Sequence, residues 1–134
     1  MSEYLEGEKI GRYVDSLGGR RNSAKLKAVI KKVLEDCYKL DSIGLDHGEL
    51  SRMPKHVIIG NKITIIDFES SSMKRRVSNV TSATQAFYIG SRISKTVNRI
   101  YKAPKKEKII SVLRNYKQDQ DRKNFENLLN VLKL

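Results

Sequence analysis

The chain has 134 residues, of which 39% are hydrophobic and 31% charged, and its formal net charge is +12. These values predict one soluble, globular domain that is long enough to bury its own core without disulfide or metal staples. The single cysteine, Cys37, excludes an internal disulfide and a multi-cysteine zinc site, and no apolar run reaches membrane-spanning length.

The positive charge is concentrated in the second half of the chain. Residues 1–69 carry 12 Lys/Arg against 11 Asp/Glu, whereas residues 70–134 carry 15 against 4. This asymmetry indicates an anionic partner for the second half, whether nucleic acid, acidic protein or lipid headgroup. The alternative is a lysine-rich solubilising surface. The N-terminus does not have the form of a signal peptide, so we expect a cytoplasmic protein without a membrane partner.

Two helices are predicted in the first third of the chain. Residues 10–17 carry apolar side chains at helical spacing and form a short helix. Residues 23–40 form a longer, half-buried central helix, with Asn22 or Ser23 as its N-cap and Gly44 as its stop. Cys37 lies on the apolar face of this helix, which predicts a buried, inert thiol and not a nucleophile.

A small β-hairpin and a helical region complete the predicted fold, which is α+β and mainly α. Residues 57–59 and 63–66 are β-branched runs, joined through the turn pair Gly60-Asn61. The basic region 79–134 shows four helical patterns. The third begins with Pro104 in its first turn, and the fourth is capped by Asp119 or Asp121.

The stretch 47–69 gathers the side chains best suited to chemistry. His47 and Glu49 share one polar loop, and Asp67 follows the second strand of the hairpin, two residues before Glu69. A loop acid, a hairpin and an aspartate at a strand end suit a metal-bound phosphate, because Mg²⁺ prefers hard oxygen ligands. The alternatives are that Asp67 caps the next turn and that Glu49 makes a local hydrogen bond.

Four motifs occur in a fixed order around the long helix. MSEYLEG at residues 1–7 precedes it, and HGEL (47–50), HVII (56–59) and IDFE (66–69) follow it. This order resembles the C-terminal lobe of an atypical protein kinase, related to the RIO and Bud32 kinases and to predicted archaeal Ser/Thr protein kinases. The matching family motifs are the hinge (MEYIEG), H-x-D-L, N-[IV]-L-[IV] and I-D-F-G. The resemblance implies a single kinase-like C-lobe domain over residues 1–134, with the N-terminal lobe absent.

The resemblance implies a Ser/Thr-type phosphotransferase that uses ATP and Mg²⁺, in a truncated or degenerate form. Glu49 would stand where kinases have the aspartate that accepts the substrate proton, and His47 would link the catalytic loop to the metal-binding strand. Asp67 would be the first metal ligand, with His56 and Glu69 in the positions of the second-metal asparagine and the I-D-F-G glycine. The implied ATP contacts are Glu3, Leu5 and Lys55.

Several features depart from the kinase pattern. The imidazole of His56 suits softer metals better than Mg²⁺. The aspartate that anchors the catalytic loop from the following helix has no counterpart, and Asn79, Thr81 and Gln85 are the polar groups near that helix start. The implied partners are a protein substrate or a separate N-terminal lobe, and the apolar face left by the absent lobe could drive homodimer formation.

The alternative function is a non-catalytic basic binding module or scaffold, associated with nucleic acid. Three tyrosines, Tyr88, Tyr101 and Tyr116, could stack on bases, although their helical spacing favours core packing. The candidate anion patch consists of Lys74, Arg75, Arg76, Arg92, Lys95 and Arg99.

Overall fold

Six α-helices and three short strands form the described part of the chain. The computed structural model describes residues 8–17, 20–50, 57–59, 63–65, 68 and 71–134. The strands are β1 (Glu8–Lys9), β2 (Val57–Ile59) and β3 (Ile63–Ile65). The helices are α1 (Ile10–Ser16), α2 (Ser23–Ile43), α3 (Asn79–Tyr88), α4 (Arg92–Ile100), α5 (Lys106–Gln118) and α6 (Arg122–Val131). The expected class, α+β and mainly α, is confirmed.

Helix α2 is the long central element that its hydrophobic period predicts. Most of its apolar face, including Cys37, is buried, and its most extensive helix contact is with α3. The helix ends at Gly44, whose φ of 81° turns the chain so that the Leu45 N–H donates to the Leu40 carbonyl at 3.1 Å. Asn22 is the N-cap residue, one of the two predicted, but its side chain makes no capping hydrogen bond and donates instead to the Leu17 carbonyl at the end of α1.

The predicted hairpin strands are present, whereas Gly60 and Asn61, which were predicted to form the turn, lie outside the described residues. Strands β2 and β3 are antiparallel, with Val57 opposite Ile65 and Ile59 opposite Ile63. This register puts the side chains of Val57, Ile63 and Ile65 on one face of the sheet, since side chains alternate along a strand. Strand β1 pairs with the outer side of β2.

The four C-terminal helices are close to their predicted positions. Asp121 caps α6, with its carboxylate 2.9 Å from the Asn124 backbone nitrogen. Pro104 precedes α5 instead of entering its first turn, because the helix begins at Lys106 with Lys105 as its N-cap. Within the described residues, no helix has the length and apolarity needed to cross a bilayer.

The three tyrosines belong to the core, as their helical spacing predicts, and the alternative that they stack on bases is wrong. Tyr88, Tyr101 and Tyr116 are at most 7% exposed. Tyr88 and Tyr101 share a hydrogen bond through their hydroxyls, and Tyr101 also donates to the Leu132 carbonyl at 3.2 Å. Burial raises the pKa of Tyr101 to about 12, so this hydroxyl stays protonated at neutral pH. The rings stabilise helix packing and present no face to a ligand.

Candidate functional site

The loop that joins α2 to β2 carries the two predicted catalytic side chains. Gly48 has a φ of 94°, a conformation that residues with a side chain rarely adopt, so glycine allows the sharp turn here. His47 is fully buried and Leu50 is nearly so. Glu49 is half-buried. Of the two predicted groups, only the carboxylate is therefore partly accessible to solvent.

His47 connects the loop to two other parts of the molecule. Its backbone N–H donates to Asn79 Oδ1 at 2.8 Å, which anchors the loop to the start of α3. Its ring Nδ1 accepts from the Glu49 backbone N–H at 3.2 Å, so the neutral ring carries its proton on Nε2. The ring also meets Phe68 edge-on, with centroids 4.8 Å apart. These contacts fix both the position and the tautomer of the imidazole.

Asn79 anchors this loop through a buried polar network. Its side-chain Nδ2 donates to Asp41 Oδ1 at 2.9 Å and to the Leu45 carbonyl at 2.7 Å. Asp41 also accepts from the Asn79 backbone N–H at 3.0 Å, from the Val80 N–H at 3.4 Å and from the Tyr116 hydroxyl at 2.6 Å. One carboxylate thus ties the end of α2 to α3 and α5.

The protonation of Asp41 reflects two opposing effects. Burial raises the pKa of this carboxyl above its usual 3.8, while the hydrogen bonds from Tyr116 and Asn79 lower it, and burial is the larger effect. Burial and the neighbouring carboxylate also raise the pKa of the Tyr116 hydroxyl, which therefore remains a donor. The buried carboxylate is therefore costly to ionise. The hydrogen-bond donors of Asn79, Val80 and Tyr116 offset part of that cost.

A second carboxylate, Asp46, lies at the same end of α3. It accepts from the Ser78 backbone N–H at 2.9 Å and pairs with Arg75 Nε at 2.7 Å. The Asp46 backbone also forms a two-bond antiparallel bridge with Ser72. Together with Asp41, it satisfies the N–H groups of three successive residues at the start of α3, where the helix dipole favours negative charge.

Sequence reasoning missed both aspartates, although Asp41 had a visible signal. Val33, Cys37 and Asp41 follow at intervals of four, so Asp41 continues the apolar face of α2 and must be buried there. An aspartate is almost never buried without partners, so this position predicts a polar network. Asp46 has no such signal, because its partners lie in a distant loop.

The predicted metal-binding and ATP-binding residues lie outside the described parts of the chain. They are Glu3, Leu5, Lys55, His56, Asp67 and Glu69. Among the residues that the structure describes, no group of three or more His, Cys, Asp or Glu side chains could hold a metal ion. The metal-site prediction therefore stays a prediction.

The six residues of the proposed anion patch lie on two segments, and several of them have structural partners. Arg92 is 3.7 Å from an Asp15 carboxylate oxygen, and Arg99 donates to Thr96 at 3.2 Å. Arg75 pairs with Asp46, as described above. All six members, Lys74, Arg75, Arg76, Arg92, Lys95 and Arg99, are exposed. Because they are exposed, an anion could reach them, but Asp46 and Asp15 already offset part of their positive charge.

Comparison with known proteins identifies a relative in an archaeon. No protein-family model matches the chain. A 96-residue stretch is 33% identical to the uncharacterized protein MJ1211 of Methanocaldococcus jannaschii, and it covers 71% of this chain and 78% of that protein. The chain belongs to the MJ1211 family. Because MJ1211 is itself uncharacterized, the function of this family member has to be argued from its residues and contacts.

Proposed function

We propose that this chain is a protein-kinase-like phosphotransferase lobe that uses ATP and Mg²⁺. The observation that carries the proposal is the contact between the rings of His47 and Phe68. The kinase resemblance assigns His47 to the catalytic loop and Phe68 to the motif at the metal-binding strand. The contact of the buried His47 ring with the partly exposed Phe68 ring supports the assignment, because the resemblance gives His47 the role of linking those segments.

Asn79 accounts for one of the departures from the kinase pattern. The resemblance calls for a side-chain oxygen on the following helix that accepts a hydrogen bond from the catalytic loop. Asn79 Oδ1 accepts from the His47 N–H, as a carboxylate would. The negative charge is instead supplied by Asp41, which bonds to the amide of the same asparagine. The anchor is thus divided between two residues.

The chemistry would rest on carboxylates of the loop and of the strand end. Glu49 is partly accessible next to the sharp turn at Gly48, and a carboxylate there can accept the proton of a substrate hydroxyl. Asp67 and Glu69 offer the hard oxygen ligands that Mg²⁺ requires, whereas the imidazole of His56 suits this ion poorly. Bound Mg²⁺ would neutralise phosphate charge.

The remaining predicted residues would contact the nucleotide. Lys55 would offset phosphate charge, and Glu3 and Leu5 in the hinge-like segment would contact the adenine. A protein hydroxyl is the expected phosphate acceptor.

Calorimetric titration with Mg·ATP tests the proposal. We expect saturable heat with the wild-type chain and at least about tenfold weaker binding for Asp67→Ala, because a metal ligand is lost. Asp119→Ala, which removes an exposed acid between α5 and α6, should bind like the wild type. Absence of heat in the wild type would refute the proposal, and equal heat in Asp67→Ala would refute the assignment of Asp67.

A transfer assay separates chemistry from binding. Glu49→Gln keeps the size of the side chain but removes the proton acceptor. We expect it to bind Mg·ATP like the wild type and to transfer phosphate about 10² to 10⁴ times more slowly to a hydroxyl-bearing protein substrate. Unchanged transfer would exclude Glu49 as the base.

The alternative, a nucleic-acid-binding module or scaffold, is favoured only by charge. The 15 Lys/Arg against 4 Asp/Glu of residues 70–134 would drive binding to phosphates. Because the tyrosines are buried, base stacking would contribute nothing. Binding to a short RNA should then weaken steeply with salt, and binding that is absent at low salt would eliminate this alternative.

A further inference from the structure

A pocket of about 320 Å³ lies between α3 and α5, apart from the loop of His47 and Glu49. Three cationic side chains, Arg76, Arg114 and Lys117, line it. Its wall also includes Thr81 of α3 and the apolar pair Ile110 and Leu113 of α5. Within the described residues, no acidic side chain lines the pocket.

The three cations are held close together without a counter-charge. Arg114 and Lys117 are three residues apart on α5 and so share a face of the helix. Arg76 donates a hydrogen bond to the Lys117 backbone carbonyl, which fixes it at the end of this helix. The adjacent Val77 carbonyl is held by Gln120 Nε2 at 3.0 Å. In the described part of the chain none of the three cations forms an ion pair, so an anion would relieve their mutual repulsion.

Thr81 provides an independent indication of a ligand. Its side chain lines the pocket and is only 5% exposed. Its hydroxyl Oγ1 is buried and finds no hydrogen-bond partner among the described residues. A buried hydroxyl without a partner is destabilising. An acceptor atom of a bound ligand would satisfy it.

We propose that this pocket binds a small phosphate monoester. Its dianionic phosphate would be held by Arg76, Arg114 and Lys117, with Thr81 as a further donor, since arginine and phosphate match in geometry and charge. The carbon part of the ester would rest on Ile110 and Leu113. The volume is near the lower end for ligand pockets and suits a small molecule. This inference does not depend on phosphotransferase activity.

Titration with phenyl phosphate, inorganic phosphate and dimethyl phosphate tests the ligand class. Calorimetry should show phenyl phosphate binding more tightly than inorganic phosphate, because only the ester has a carbon part. Dimethyl phosphate should bind more weakly than both, since it carries a single charge. A chain that binds a short RNA but none of the monoesters would overturn the proposal.

Charge variants test the location of the site. Arg114→Gln should weaken phenyl phosphate binding about tenfold through loss of a charge-assisted hydrogen bond. Arg12→Gln removes the same charge from an exposed position on α1 and should leave binding unchanged. Equal weakening in both variants would mean that only the overall charge matters, and the site would be refuted.

Substitutions at two threonines of α3, Thr81 and Thr84, form a matched pair that tests the role of the Thr81 hydroxyl. The Oγ1 atoms of Thr81 and Thr84 are both buried without a partner among the described residues, but only Thr81 lines the pocket. Thr81→Val should weaken phenyl phosphate binding several-fold without lowering the thermal midpoint, whereas Thr84→Val should bind normally. Unchanged binding in Thr81→Val would refute its role. Asp67→Ala should also bind phenyl phosphate normally, so this proposal and the phosphotransferase proposal can fail separately.

Discussion

Replacing Asn79 with aspartate tests how the candidate catalytic loop is anchored. The new carboxylate keeps an oxygen for the His47 N–H, now bonded to Asn79 Oδ1 at 2.8 Å. The amide nitrogen, however, donates to Asp41 Oδ1 at 2.9 Å and to the Leu45 carbonyl at 2.7 Å. In Asn79→Asp an oxygen replaces this nitrogen and faces two acceptors, Asp41 Oδ1 and the Leu45 carbonyl. The substitution also places a second carboxyl group beside Asp41.

The expected cost follows from these contacts. Two buried hydrogen bonds are lost, one of them to a charged acceptor, and together they are worth about 2–4 kcal/mol. Two negative charges about 4 Å apart repel by about 4 kcal/mol at an effective dielectric constant near 20. Uptake of a proton by the pair relieves most of that repulsion. We therefore expect the free energy of unfolding to fall by about 3–5 kcal/mol at about pH 7.

The loss of stability should depend on pH in a defined direction. Burial already raises the pKa of Asp41 above its usual 3.8, and a second carboxylate raises the pKa of the pair further. A raised pKa in the folded state gives a stability contribution that is present below the unfolded pKa and lost as the pH rises through the folded pKa. The difference in the free energy of unfolding between Asn79→Asp and the wild type should therefore be largest at neutral pH and shrink toward about pH 4.

Urea unfolding followed by circular dichroism between about pH 4.5 and 8 measures this difference. Asn79→Ala is the control without an added charge, because it removes the two bonds of the amide nitrogen and, in addition, the bond that Oδ1 accepts from the His47 N–H. Its deficit should vary with pH much less than that of Asn79→Asp. A stability of Asn79→Asp equal to that of the wild type at neutral pH would contradict the hydrogen-bond directions described here. Identical pH profiles for the two variants would contradict the predicted charge repulsion.

Three other changes probe the core and one surface ion pair. Tyr116→Phe removes a donor from Asp41 and should lower the free energy of unfolding by about 1.5–3 kcal/mol in urea titrations, and an unchanged midpoint would refute the bond. Arg122 hydrogen-bonds to Glu35 and thereby lowers the pKa of this carboxyl below 4.5. Because the pair is partly exposed, Arg122→Ala should cost at most about 1 kcal/mol. The part of this cost that comes from the ion pair should be present at neutral pH and disappear as the pH falls through the Glu35 pKa, whereas the loss of Arg122 packing over Tyr38 and Phe125 should not depend on pH. A cost that is wholly independent of pH would contradict the ion-pair contribution. Cys37 is fully buried, and burial raises its pKa, so iodoacetamide should modify it only as fast as the chain unfolds. Rapid labelling of the folded chain would refute that.

The fold was predictable from sequence where the spacing of apolar residues along the chain marks the face that is buried. The long helix α2 has a continuous apolar face, and Gly44 ends it at the expected place. The hairpin strands follow from their β-branched runs. Their register, with Val57 opposite Ile65, is a property of the pair of strands that neither β-branched run shows by itself.

The site was less predictable because its contacts join distant parts of the chain. The bonds of Asp46 to Arg75 and Ser78, and of Asp41 to Tyr116, connect segments that no local pattern relates. The tyrosines illustrate the same limit. Helical spacing indicated a core position for Tyr116, but nothing in its neighbourhood showed that its hydroxyl would meet a carboxylate.

The division of the loop anchor between Asn79 and Asp41 has a consequence for the proposed activity. A single anchoring aspartate would be charged at the start of the helix, whereas here the loop meets a neutral amide and the charge lies one contact further away. Changes at Asn79 should therefore reduce stability and phosphate transfer together, because they release the loop that carries Glu49. Glu49→Gln should reduce transfer alone. A variant of Asn79 that loses stability but transfers phosphate normally would show that this anchor serves the fold and not the chemistry.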